Sequence, residues 1–194
     1  ALDNGIAVLV KKLKGNELVL IPILMILFSI GGTTYGMCEE TVPFYVLLAA
    51  TMYAAGFDAM VGSAVVLLGA GCGVLGSTVN PFAVGAAVSS LVDAGIQVNQ
   101  GIIIALGVII WLVSLAIAIV FVMRYAKKVK ADKGSTFLSL QEQQDMMNEW
   151  GMKESETEAA DDDAAATPKM SGRQKWSLIV FALTFVIMIV SLIP

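Results

Sequence analysis

Histidine is absent from all 194 residues and cysteine occurs only twice. Without imidazole the chain builds neither a histidine proton relay nor an imidazole metal site. Cys38 and Cys72 lie far apart in apolar sequence, match no metal or redox spacing, and read as small packing residues. Positive charge is missing for more than half of the chain, since no Lys or Arg occurs from residue 15 to residue 123. Charged residues make up 14% of the whole and hydrophobic residues 57%, against about 25% and roughly 45–50% in soluble domains. With a mean hydropathy of +0.81, the composition describes an all-α integral membrane protein, not a soluble one. The net charge of −4 comes mainly from one acidic loop between Lys130 and Arg173, so no nucleic-acid partner is expected. An enzyme is not expected either. No metal cluster or nucleophile–base pair is present, and an intramembrane protease would need a His–Ser pair or paired membrane aspartates.

What is there falls into four hydrophobic blocks, of which the first two are interrupted. Block one runs from Leu18 to Ile30, meets GGTTYGMCEETVP at 31–43 and resumes from Phe44 to Ala55. Each arm is shorter than the about 20 residues a span requires. Two half-length helices meeting at a polar tip describe a re-entrant hairpin over 17–56, tolerated where its irregular backbone is buried in protein or lines a wet cavity. Block two runs from Ala59, breaks at GCGVLGSTVNP (71–81) and resumes at Phe82. Block three, 100–125, is a plain span ending in RYAKKVK, and block four, 175–194, follows GRQK.

Lys and Arg mark the cytoplasmic side of membrane segments. The basic clusters at 11–14, 124–130 and 173–175 share one side only if block one is a hairpin and block two crosses once, so 57–96 is expected to be a discontinuous transmembrane helix. Residues 1–16 form an amphipathic segment on the cytoplasmic side, and 126–174 an acidic cytoplasmic loop. The first part of that loop, Phe137 to Trp150, has the pattern of a helix lying on the membrane, and its remainder has too little apolar surface to order. The chain opens inside an amphipathic pattern and stops directly after a hydrophobic run, which fits a piece of a larger protein.

The two breaks carry the chemistry. A carboxylate at bilayer depth costs about 2.5–3.5 kcal/mol on insertion scales, and Glu39 and Glu40 have no basic residue nearby in sequence to neutralise them. Their partner is then a proton, a coupling cation, a cationic substrate or a base outside these residues. One of the two is expected to be buried and the other solvated. Gly31, Gly32 and Gly36 permit a turn and close approach, while Thr33 and Thr34 offer oxygens. In the second break Ser77, Thr78 and Asn80 supply oxygen ligands suited to a hard cation such as sodium, and Pro81 restarts the helix. The glycines Gly62, Gly69, Gly71 and Gly73 also suit plain helix packing. Asp58 and Asp93 lie at segment ends and read as interfacial.

Residues 31–85, from GGTTYGMCEETVP to GSTVNPFAVG, resemble the signature of the YfcC family, grouped with the anaerobic C4-dicarboxylate carriers (DcuC-like) of the ion transporter superfamily. The resemblance extends through block three to RYAKKVK. It implies a secondary transporter of two inverted repeats, each with a hairpin and a broken helix, whose tips meet around one substrate in a bacterial inner membrane. It also implies a homodimer. On that view 17–123 is the cytoplasmic-hairpin half, and the remaining half of the transporter lies beyond Pro194. Substrates implied within the family range from basic amino acids to dicarboxylates. The unpartnered glutamates favour a cationic substrate or a coupling sodium ion or proton, with basic amino acids slightly preferred. No cofactor is expected. A non-transporting membrane scaffold is the alternative of another class, and broken spans give a scaffold nothing.

Overall fold

The computed structural model describes residues 17–148 and, further on, only the isolated helical positions 172, 176, 179, 180, 183 and 187. The expected amphipathic opening segment, most of the acidic loop and the continuous extent of block four lie outside the described residues. Among the described residues the chain is helical and holds no strand. In order come α1 (Glu17–Tyr35), a 3-10 turn (Glu39–Thr41), α2 (Val42–Ala54), α3 (Ala59–Leu75), a π-turn (Pro81–Gly85) continuing as α4 (Ala86–Asp93), α5 (Gln100–Ala131) and, after a 3-10 turn (Lys133–Ser135), α6 (Leu140–Met146). Two of these, α1 and α5, are long and apolar enough to cross a membrane.

Helix α3 is the hub. Met25 of α1 lies against Gly69, Ser29 against Gly73, and Thr33 bonds Gly76, so α1 and α3 advance in the same direction. Helix α2 turns back along α3, with the Leu48–Ala49 backbone against Gly62. Helix α5 runs opposite to α3, because Asp58 meets Tyr125 at one end while Gly76 and Ser77 meet Trp111 and Gly107 at the other. Leu20, Ile21, Leu24, Met25, Leu48, Met52, Val61, Val65 and Val66 fill the space between them. Phe28 and Phe44 meet edge to face at 5.4 Å where the arms of the first block converge. In lipid, helix association comes from close packing and not from apolar burial. The glycine stripe of α3 supplies that: a Cβ on Gly73 would strike the carbonyl of Ser29, and one on Gly62 would sit 2.5 Å from that of Leu48.

Two helix limits differ from the sequence reading. Residues 31–35, expected in the break, are the last turn of α1, and Gly71 and Gly73, expected in the second break, lie inside α3. The reason is pairing: Gly32 and Gly73 face one another at the helix crossing, and that close packing offsets the roughly 0.5–1 kcal/mol that glycine costs in a helix. Helix α1 ends at Gly36, whose φ of +82° lies in the left-handed region and whose N–H donates to the Gly32 carbonyl at 3.0 Å, a left-handed helix cap. Asp58, Asn80 and Asn99 cap the elements that follow them.

On the outer face of α5, Ile102, Leu106, Ile109, Val113, Ile117 and Phe121 are exposed, as befits a lipid-facing helix. At 32 residues it is about 48 Å long at 1.5 Å per residue. Phe137 and Leu140 are exposed beyond its end, and α6 begins on a capping box between Ser139 and Glu142. Ser139 holds the Glu142 carboxyl below its usual value by hydroxyl and backbone hydrogen bonds.

Candidate functional site

The first two blocks meet where each is interrupted. Thr33, buried in the last turn of α1, donates its hydroxyl to the Gly76 carbonyl at 2.7 Å, and its Oγ1 lies 3.3 Å from that of Thr78. Thr78 answers through its backbone, with its N–H donating to the Thr33 carbonyl at 3.0 Å and its hydroxyl to the same carbonyl at 3.2 Å. Two carbonyls left over at helix ends thus find partners across the junction instead of water.

Asn80 organises the far side of the break. Its Oδ1 accepts from the N–H groups of Phe82 and Ala83 at 2.9 and 3.3 Å, and its Nδ2 donates to Ser77 Oγ at 3.1 Å. Ser77 in turn donates to the Val74 carbonyl at 2.6 Å. Pro81 takes the first helical position, where a missing N–H costs least. Gly36 serves twice here, because a Cβ in its place would also come within 2.6 Å of the Asn80 side chain. Tyr35 and Phe82 complete the junction edge to face at 5.6 Å.

Of the residues singled out in the sequence, Thr33, Ser77, Thr78, Asn80 and Pro81 are brought together. Gly31 and Gly32 are buried beside them in packing positions, Gly31 against Met37 and Gly32 against the backbone of α3. Thr34 is half-buried and bonds the Ile30 carbonyl one turn back. Both Glu39 and Glu40 are exposed, which corrects the expectation that one of them is buried. They fall on the short 3-10 turn between the arms, where Glu40 reaches back only to the Cys38 N–H at 3.3 Å. Cys38 is exposed as well, not a packing residue.

The sequence reading passed over Gly107 and Trp111. Gly107 lies under the Ser77 carbonyl, and the Trp111 backbone lies against Gly76, so α5 closes the back of the break. A lone glycine amid large apolar residues of a span was the available signal. Asp58 lies at a segment end as expected, where it caps α3, and it is buried there. Asp93 is exposed.

Helix ends give the junction its electrostatics. The C-terminal ends of α1 and α3, partially negative, converge with the N-terminal ends of α2 and the 81–93 helix, partially positive. The protein oxygens there are neutral.

The whole chain, residues 1–194, matches the family described as C4-dicarboxylate anaerobic carrier. The chain belongs to that family. It is a carrier family and not an enzyme family. The chain is 37% identical over 129 residues, 66% of its length and 24% of the relative's, to a protein of Escherichia coli (strain K12) named "Putative basic amino acid antiporter YfcC". It is 36% identical over 188 residues, 96% of its length, to a protein of Haemophilus influenzae (strain ATCC 51907 / DSM 11121 / KW20 / Rd) that has no functional name, of which it covers 34%. The chain therefore spans about a quarter to a third of the length of these family members. No solved structure matches it significantly.

Proposed function

We propose that the chain is part of a secondary active transporter, an antiporter or an ion-coupled symporter, for a small amino acid or organic acid, with basic amino acids slightly preferred. It works by alternating access, with substrate held where the tip of the first block meets the break after α3. One observation carries this reading: Thr33 and Thr78 join two interrupted helices through three neutral hydrogen bonds, donated by the two hydroxyls and the Thr78 N–H. Half-helix ends meeting in this way are how such carriers build ion and substrate sites near the bilayer midplane.

The first block is read as a re-entrant hairpin because its two ends share a level with the basic end of α5, while its tip stops at the level of Gly107 and Trp111. From there to Gln100, α5 continues for about 10–16 Å. The membrane is read as the bacterial inner membrane, crossed several times, with the basic ends cytoplasmic. Glu39 and Glu40 recognise the cationic end of the substrate, while Thr33, Thr34, Ser77, Thr78 and Asn80 take its zwitterionic head or a coupling ion. The missing half of the carrier closes the site, and the carrier works as a homodimer in the lipid bilayer.

A second reading, a sodium- or proton-coupled carrier of C4-dicarboxylates or short-chain carboxylates, is favoured by the family description and by the exposure of both glutamates. Sodium then takes the oxygens of Ser77, Thr78 and Asn80, which must first release their present hydrogen bonds. Counterflow into liposomes holding the full-length protein separates the two. Uptake of labelled arginine driven by internal arginine supports the first reading. Succinate counterflow alone overturns it in favour of the second, and absence of counterflow for any amino acid or carboxylate removes both.

A further inference from the structure

Asp58 closes the link between α2 and α3 and is buried there. Its Oδ1 accepts from the Val61 N–H at 2.9 Å. Its Oδ2 accepts from the Tyr125 hydroxyl at 2.5 Å and the Thr136 hydroxyl at 2.6 Å. Both hydroxyls are themselves oriented: Tyr125 accepts from the Phe137 N–H and Thr136 from the Leu138 N–H, each at 3.2 Å. Their protons are therefore aimed at the carboxylate. The Phe137 ring stacks on Tyr125 at 4.9 Å, and Lys130 Nζ sits 4.9 Å above the ring of Phe57, the neighbour of Asp58. Hydrogen bonds to a charged acceptor are roughly twice as strong as neutral ones. This cluster lies at the end of α3 opposite the Thr33–Thr78 junction, and nothing in the transport reading uses it.

We propose that Asp58 is a positioning residue: it fastens the foot of the hairpin to the end of α5 and thereby fixes the depth at which the tip meets the break. Helix α2 otherwise depends on packing against α3 and on the Phe28–Phe44 contact, and a sliding foot carries the tip with it. The transport part of the test rests on the carrier reading above; the labelling part does not.

The test uses the full-length protein in liposomes, with cysteines other than Cys38 replaced. Asp58→Asn keeps an oxygen for the Val61 N–H and puts an amide, which cannot accept, in place of Oδ2. Tyr125→Phe and Thr136→Val each remove one donor, and Tyr125→Phe keeps the ring stack. Asp58→Asn is expected to raise KM about tenfold with Vmax per folded molecule within about twofold. It is also expected to speed labelling of Cys38 by a membrane-impermeant maleimide about fivefold, with the two single-donor variants moving the same way by less. Unchanged KM and labelling in all three variants overturn the proposal. So does a fall in Vmax that merely follows the amount of folded protein. Faster labelling in a protein whose wild type transports no solute upholds the positioning role and overturns the carrier reading instead.

Discussion

The two ends of α3 are fastened by different chemistry. At Gly76–Asn80 the bonds are neutral, hydroxyl or amide to carbonyl, and the backbone is irregular on both sides. At Asp58 a carboxylate gathers three donors, the Val61 N–H of the helix it caps and the hydroxyls of Tyr125 and Thr136 from elements distant in sequence, and the helix beginning there is regular. Neutral hydrogen bonds contribute about 0.5–1.5 kcal/mol each and those to charged groups about 1.5–3. An element that must rearrange during a cycle gains from the weaker kind, and its anchorage from the stronger. On the transport reading proposed above, motion falls to one end of a single helix and leverage to the other.

That contrast can be broken at its strongest contact first. Gly32→Leu places a side chain against the Ala70 carbonyl and the Val74 N–H. It is expected to cost about 3 kcal/mol or more by overpacking, read as a fall in the detergent unfolding temperature together with loss of uptake. Glu39→Gln and Glu40→Gln separate function from stability. Each is expected to abolish uptake of a cationic substrate while leaving the unfolding temperature unchanged, since both side chains are exposed. Full activity in both variants sinks their recognition role. Thr33→Val strips a hydrogen-bond partner from the Gly76 carbonyl and is expected to cost about 1–2 kcal/mol. The loss should disappear in the background of Thr78→Val if the two act as one unit, which a double-mutant cycle of unfolding free energies measures.

The smallest effect concerns α6. Because the folded-state pKa of Glu142 is lowered, chiefly by the Ser139 hydroxyl, its contribution to the cap is complete above the ordinary carboxylate range. It is lost as pH falls through the lowered value. Hydrogen-exchange protection of the Glu142 amide, corrected for intrinsic rate, is expected to hold at neutral pH and vanish in acid.

Much of this was legible because apolar runs advertise their interruptions. Thr33, Thr78 and Asn80 stood out as oxygens where a span should have none, and Pro81 marked the restart of the helix. The helix ends were less legible. Gly32 looks like a helix breaker until it is known that Gly73 lies opposite, and no local pattern reports a partner some forty residues away. The partners of Asp58 were illegible for the same reason on a larger scale, since they lie 67 and 78 residues on. One of the two glutamates was expected to be buried because its neighbours in sequence are apolar, whereas both are exposed on the short turn between α1 and α2.

The parallel course of α1 and α3 constrains what insertions the chain can accept. Contacts between them keep a nearly constant offset, with Thr33 bonding positions 43 and 45 residues further on, so the two helices act as matched rulers. A residue added in the turn between α1 and α2 leaves both rulers intact. One added within α1 between Ile21 and Thr33 swings the Thr33 hydroxyl by about 100° and shifts it about 1.5 Å along the axis, away from the Gly76 carbonyl. Length variation among functional relatives should therefore collect in the links and be excluded from these two helices.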